Sequence, residues 1–273
     1  MTEHWGHVQG VRTKYLEFHR SQPRTIVFLH GFRGNHRGLL AVAEHLTAYR
    51  VIIPDLPGWG ESDSLSQPHT FNNYSDFLSA FIGQLGLNNY ILAGHSFGAS
   101  LALIFASRHP ERLARLVLIE PVFAAQTMTS RLGELYYRFS SILPPAWRDP
   151  IIKSAVLNRI STELLTVLKD PVQKKQLVKN EQDNLNYLRV NVELQSFLSF
   201  YETDFQQAAR TLTVPTVMLA GQRDQMTPLP VIKSLTDTIP RHQLIVMPGA
   251  GHFAPMEIPA AVSSAMRRGL DGL

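Results

Sequence analysis

Cysteine is missing altogether from this chain of 273 residues. Without thiols there can be no disulfide, no thiolate metal centre and no cysteine nucleophile. The absence leaves the redox compartment open, because a chain without thiols tolerates either state. Long apolar runs are missing too: no stretch approaches the ~20 residues that a bilayer-spanning helix needs. The first residues, Met1-Thr2-Glu3-His4-Trp5-Gly6, show no basic segment followed by an apolar core. We therefore expect no secretion leader and a cytoplasmic location. Runs of like charge are also lacking. The 26 Lys and Arg and 22 Asp and Glu are scattered, and a formal net charge of +4 is mild. That reads as solvated surface, with no nucleic-acid partner expected. No long-period repeat and no low-complexity linker occurs, and nothing fixes the oligomeric state.

What is present is a rhythm. Hydrophobic residues make up 44% and charged residues 18%, which suits a globular chain long enough for one large α/β domain with an insertion. Short apolar runs occur at 25–29, 50–53, 89–93, 116–119, 216–220 and 243–247, and each reads as a buried strand. Helical patterns lie between most of them, at about 37–48, 71–86, 97–108, 228–238 and 257–270. Continuous apolar strands separated by helices imply a mostly parallel sheet covered on both faces. The alternating segment Lys14-Tyr15-Leu16-Glu17-Phe18 predicts an antiparallel strand at one edge.

The rhythm breaks between about Val122 and Phe205. There the pattern is helical, punctuated by Pro144-Pro145, Pro150 and Pro171. We expect an inserted helical cap over residues 122–205, and a core domain formed by 1–121 and 206–273. Met128, Tyr136, Tyr137, Phe139, Trp147, Phe197, Phe200 and Tyr201 fall in the cap. Most should pack its own interior, and a few should face the functional site.

Residues 94–98 read Gly94-His95-Ser96-Phe97-Gly98, a G-x-S-x-G box between an apolar run and a helix-compatible stretch. This strand–turn–helix context is that of a nucleophile elbow, in which a sharp turn exposes the serine hydroxyl. A side chain at either glycine would collide with the neighbouring strand or helix. The alternative is an ordinary turn serine capping a helix. Three further groups weigh against it. His30-Gly31-Phe32 follows the first buried run, and Gly221-Gln222-Arg223-Asp224 follows the fifth. Gly249-Ala250-Gly251-His252-Phe253 follows the last. The backbone N–H groups of Phe32 and Phe97 would serve as oxyanion donors. His30 reads as a loop-fixing hydrogen bonder. The order Ser96, Asp224, His252 is that of a serine–acid–histidine triad in an α/β sheet.

With these elements the chain resembles a capped α/β-hydrolase with an HGF-type oxyanion loop, over essentially its whole length. The likeness rests on the three groups above, the elbow, and Asp55-Leu56-Pro57-Gly58-Trp59-Gly60-Glu61-Ser62. It implies the α/β-hydrolase fold: a mostly parallel eight-stranded sheet with helices on both faces and a helical cap inserted after the sixth strand. It also implies a Ser96–His252–Asp224 triad acting on a small-molecule ester, with no cofactor and no metal. Asp55 reads as a loop-holding residue. Glu120, at the end of the preceding strand, is a rival for the acid. A serine at the elbow argues against haloalkane dehalogenase and epoxide hydrolase chemistry, which uses aspartate there. Carboxylic ester hydrolysis is expected, with an apolar acyl or aryl group. The alternatives are an acyl thioesterase, a carbon–carbon hydrolase of meta-cleavage products, and a non-catalytic binding protein on the same fold. Members of the carbon–carbon hydrolase group often carry Trp after the catalytic His, where this chain has Phe253.

Overall fold

The computed structural model describes residues 1–123 and 128–272. Residues 124–127 of the expected cap, the Met128 side chain and Leu273 lie outside the described residues. Eight strands form one sheet: β1 (Thr2–Val8), β2 (Val11–Phe18), β3 (Thr25–Leu29), β4 (Arg50–Pro54), β5 (Tyr90–His95), β6 (Leu113–Ile119), β7 (Thr216–Gly221) and β8 (His242–Met247). Their order across the sheet is β1-β2-β4-β3-β5-β6-β7-β8. From β4 to β8 every neighbouring pair is parallel, whereas β1 and β2 join antiparallel.

The helices are α1 (Leu40–His45), α2 (Phe71–Gln84), α3 (Phe97–Arg108), α4 (Met128–Ile142), α5 (Pro145–Ile152), α6 (Ala155–Leu165), α7 (Pro171–Asn184), α8 (Val190–Leu198), α9 (Phe205–Arg210), α10 (Leu229–Thr236), α11 (Ala254–Glu257) and α12 (Pro259–Gly272). Side chains alternate across the strands and so build two cores. Val27, Leu29, Leu92 and Leu118 pack with α2 and α3 on one face. Ile26, Phe28, Ala93 and Val117 pack with α1 and α12 on the other. This period of two, with both sets buried, is why β3 to β7 read as continuous apolar runs, whereas β8, expected to be buried, is the far edge strand and mostly half-buried or exposed.

Two details differ from the sequence expectation. The antiparallel segment is the longer strand β2, and it is not the edge. β1 lies outside it, hydrogen-bonded over Thr2–Val8. Its exposed, mixed-polarity residues give no buried run to detect. Pro150 does not break α5 but sits inside it, whereas Pro171 begins α7, where a missing N–H costs nothing. Between β6 and β7 no strand occurs among the described residues. The loops after β3, β5, β6, β7 and β8 all leave the same, carboxyl edge of the sheet, and they carry His30, Ser96, Glu120, Asp224 and His252 to it.

Candidate active site

Ser96 sits at the hinge between β5 and α3 with φ 53° and ψ −118°, a left-handed conformation unusual for any residue but glycine. Backbone crowding imposes it. A Cβ on Gly94 would come 2.2 Å from the Gly98 carbonyl oxygen, and one on Gly98 would come 2.4 Å from that of Leu29. The strand, the turn and the helix can therefore approach this closely only through glycines. The Ser96 N–H is tied to the Ile119 carbonyl at 2.9 Å, which anchors the elbow to β6.

Ser96, His252 and Asp224 come together although they are far apart in sequence. Ser96 Oγ lies 2.9 Å from His252 Nε2, and His252 Nδ1 lies 2.9 Å from Asp224 Oδ2. All three residues are buried. A carboxylate can only accept, so Nδ1 carries the imidazole proton and Nε2 is left to accept from the serine hydroxyl. Asp224 accepts three more hydrogen bonds: from the Met226 N–H at 2.8 Å, the Thr227 N–H at 3.0 Å and the Thr227 hydroxyl at 2.8 Å. Burial would raise its pKa, but the His252 imidazole and the Thr227 donors outweigh burial and hold it below the ordinary value.

Glu120 is equally buried yet stands outside this relay. Its nearest donors are weak ones: His95 Nε2, already given to the His252 carbonyl, stands 3.4 Å from Oε2, and the Ala254 N–H offers a backbone contact. Burial, then the nearby Asp224 charge, pushes its pKa well up, which favours its protonated form. Glu120, Asp224 and His252 are the one group of three metal-ligating side chain types that converge among the described residues, and the relay already engages two of them.

The sequence reading gave His95 no role. It is fully surrounded, and burial, with the His252 imidazole beside it, pushes its pKa down to about 3, so it is neutral. Its Nε2–H donates to the His252 backbone carbonyl at 2.8 Å, which fixes the loop that carries His252. His30 and Asp55 hold the floor. His30 Nε2 accepts from the Leu56 N–H at 3.0 Å. The Asp55 carboxylate accepts from the N–H and the Nδ1–H of His36 and from the Glu61 N–H. Both residues therefore act on loops, as their positions in sequence suggest.

The residues expected to supply the oxyanion amides, Phe97 and Phe32, adjoin Ser96 and Gly31 respectively. Phe97 is the first residue of α3, so its N–H has no acceptor within the helix. Phe32 follows Gly31, whose Cβ, if it had one, would lie 3.4 Å from Ser96 Cβ. The turn there is closed by Gly34 N–H to Gly31 O at 3.1 Å and does not use the Phe32 N–H.

A cavity of about 430 Å³ opens over Ser96 and His252. Phe32, Tyr136, Tyr137, Phe197 and Phe200 give it an aromatic wall, with Phe32 and Phe197 edge-on and Tyr137 stacked on Phe197. Two aromatic residues of the expected cap do neither of the jobs foreseen for them: Phe139 and Trp147 are 60% and 72% exposed. A wider cleft of about 520 Å³ lies elsewhere, between the 64–69 loop and the start of α8, and holds none of these residues.

Residues 24–259 match the alpha/beta hydrolase fold family. The chain belongs to that family. A curated relative, the AB hydrolase superfamily protein YisY of Bacillus subtilis, is 28% identical over 88% of this chain and 89% of its own. The 2-hydroxy-6-oxononadienedioate/2-hydroxy-6-oxononatrienedioate hydrolase of Burkholderia vietnamiensis is 25% identical over 94% of this chain and 95% of its own. Among solved structures, an esterase from Exiguobacterium antarcticum superposes with a TM-score of 0.85 at 18% identity, covering 99% of this chain and 100% of that one. The match to a hydrolase family supports a hydrolytic enzyme.

Within this alpha/beta hydrolase the cavity also carries polar groups: Asn158, Ser161 and Thr162 of α6 line one part of it. Glu181 and Asn184 of α7 face Arg33 and Asn35 of the loop after β3. Asn35 Nδ2 donates to Asn184 Oδ1 at 2.8 Å. Burial pushes the Glu181 carboxyl up to about 7, against the pull of Arg33 and His252. Arg33 is itself neutralised: its guanidinium pairs with the wholly buried Glu193, which also accepts from the Tyr137 hydroxyl at 2.5 Å. Neither Glu181 nor Glu193 was foreseen. Each is an isolated carboxylate on a helix, and its role depends on which face of that helix meets the core.

Proposed function

We propose that this hydrolase cleaves carboxylic esters through Ser96, His252 and Asp224, with residues 122–205 acting as a cap over the site. The observation that carries the reading is the 2.9 Å and 2.9 Å relay from hydroxyl to imidazole to carboxylate beneath an aromatic cavity. Ser96 Oγ attacks the carbonyl carbon while its proton passes to His252 Nε2. The carbonyl electrons move onto oxygen, where the Phe32 and Phe97 N–H groups stabilise the anion; loss of one such donor costs ~3 kcal/mol. Collapse breaks the C–O bond, and His252 gives its proton to the departing alkoxide. Water then attacks the acyl-enzyme, surrenders a proton to His252 and releases the acid. Ser96 recovers its proton from His252. Asp224 stays ionised throughout and stabilises the imidazolium. These steps use only the chain's own groups and water.

The cavity wall favours an apolar acyl or aryl group. A panel of p-nitrophenyl esters from acetate to palmitate, with an acyl thioester added, tests this. Preference for apolar acyl groups is expected, and preference for charged ones counts against the reading.

A second reading, hydrolysis of a carbon–carbon bond, has the Burkholderia vietnamiensis relative in its favour. That relative's name specifies a dioate. Here the one Lys or Arg among the described residues lining the cavity, Arg33, is already paired with Glu193, and Glu181 adds acid to the same lining. A doubly anionic substrate therefore finds no free positive charge there. Turnover of a meta-cleavage dicarboxylate faster than of any ester in the panel would reverse this preference.

A further inference from the structure

Fourteen large apolar side chains are exposed among the described residues, and eleven of them fall between Leu132 and Val172. On α4 they are Leu132, Leu135, Phe139 and Ile142, spaced three, four and three apart, which lines them along one stripe. The same helix turns a different face, with Gly133, Tyr136 and Tyr137, to the cavity. On α6, Val156, Ile160 and Leu164 are exposed, whereas Asn158, Thr162 and Leu165 line the cavity. Leu157 does both: it is 45% exposed and also borders the cavity, so the outer apolar surface runs into the mouth above Ser96. Between these two helices α5 presents Trp147, 72% exposed. An amphipathic helix in a single domain should bury its apolar stripe, and contiguous exposed apolar surface of this kind marks an interaction site.

Charge identifies what covers it. Residues 128–175 hold eight Lys and Arg against four Asp and Glu, so the whole formal charge of +4 resides there and the rest of the chain is balanced. Arg131, Lys153, Lys169 and Lys175 make no ion pair among the described residues. Arg131 and Arg138 lie within one turn of Leu135 and Ile142. A second copy of this chain would set these cations against their own kind. A lipid surface with anionic headgroups would accept the cations at the headgroup level and the apolar side chains just beneath. No helix of the described residues is long and apolar enough to cross a membrane, so the contact would be peripheral.

We propose that the outer face of α4, α5 and α6 docks on anionic lipid surfaces, with Phe139, Ile142 and Trp147 as its apolar anchors. The docking is independent of the chemistry assigned to Ser96, and it would bring the cavity mouth against the lipid.

The test is sedimentation of the Ser96→Ala protein with vesicles, so that hydrolysis plays no part. The account expects binding to phosphatidylglycerol vesicles at least ten-fold stronger than to pure phosphatidylcholine, weakened by added salt. It expects a blue shift of Trp147 emission on binding, absent in Trp147→Phe. The triple variant Phe139→Ser, Ile142→Ser, Trp147→Ser should lose binding at least ten-fold while keeping its melting temperature, because all three side chains lie in solvent. Three results would overturn the proposal: no binding to either vesicle, undiminished binding of the triple variant, or a dimer by light scattering that this variant dissolves. The last result would assign the face to a second copy.

Discussion

A carboxylate oxygen of Glu120 lies within 4.8 Å of one of Asp224, yet only Asp224 bonds to His252. Two buried carboxyls this close cannot both ionise cheaply, and the surroundings separate them. Asp224 has four donors and is held low, while Glu120 has no well-formed hydrogen bond and is pushed up. Asp224→Asn should therefore lower kcat by about 10³- to 10⁴-fold, because the imidazole loses its correct tautomer and its counter-charge. Glu120→Gln should leave kcat within a few-fold. Steady-state kinetics on one ester decides, and the reverse pattern would transfer the acid role to Glu120.

The same pair yields a stability prediction. Glu120 binds its proton more tightly in the folded chain than in the unfolded one. Unfolding therefore releases that proton once pH exceeds the ordinary value of 4.5. Native stability falls as pH rises above that point. Glu120→Gln removes this penalty, so the variant's melting temperature relative to the parent should climb from pH 5 to pH 8. A difference that is flat, or that shrinks with pH, would show Glu120 to be ionised in the fold.

Glu181 should give the cavity a pH-dependent charge. Its carboxyl titrates at about 7, beside Arg33 and His252. Below that pH it is neutral, and above it the wall gains a negative charge. The KM for an ester with a carboxylate tail, such as a hemisuccinate, should rise as pH passes through 7, whereas that for an uncharged ester of equal size should not follow it. Glu181→Gln should flatten the difference. An unchanged KM ratio across pH 6 to 8 would remove Glu181 from the substrate wall.

Arg33 and Glu193 form the buried pair that joins the loop after β3 to α8. Removing one partner leaves the other charge desolvated, which typically costs about 3–5 kcal/mol. Glu193→Gln should therefore lower the unfolding free energy by about that amount and, by loosening the loop that carries Phe32, reduce kcat as well. Urea denaturation measures the first effect. A loss below about 1 kcal/mol would place the pair with surface ion pairs, which are worth little.

The site was legible in sequence wherever backbone geometry demanded a residue type. Gly94 and Gly98 have no room for a Cβ, so the elbow had to be spelled with glycines. Asp224 and His252 follow strands whose apolar runs could be counted, and topology alone brings those strand ends to one edge. Strand β1 escaped because its side chains are largely exposed and leave no apolar run. The helices between β6 and β7 were recognisable as helices, but not the direction their faces take. Phe139 and Trp147 have the composition of core residues and stand in solvent. Arg33 and Glu193 acquire their roles from a contact 160 residues apart in sequence, which no local pattern records.

Activation of the Ser96 hydroxyl by His252 can be read out by intact-mass spectrometry after treatment with a fluorophosphonate. The account predicts one adduct per chain, mapped to Ser96, absent from Ser96→Ala and greatly slowed in His252→Ala. A folded parent protein that takes up no probe, or an adduct that persists in Ser96→Ala, would contradict it.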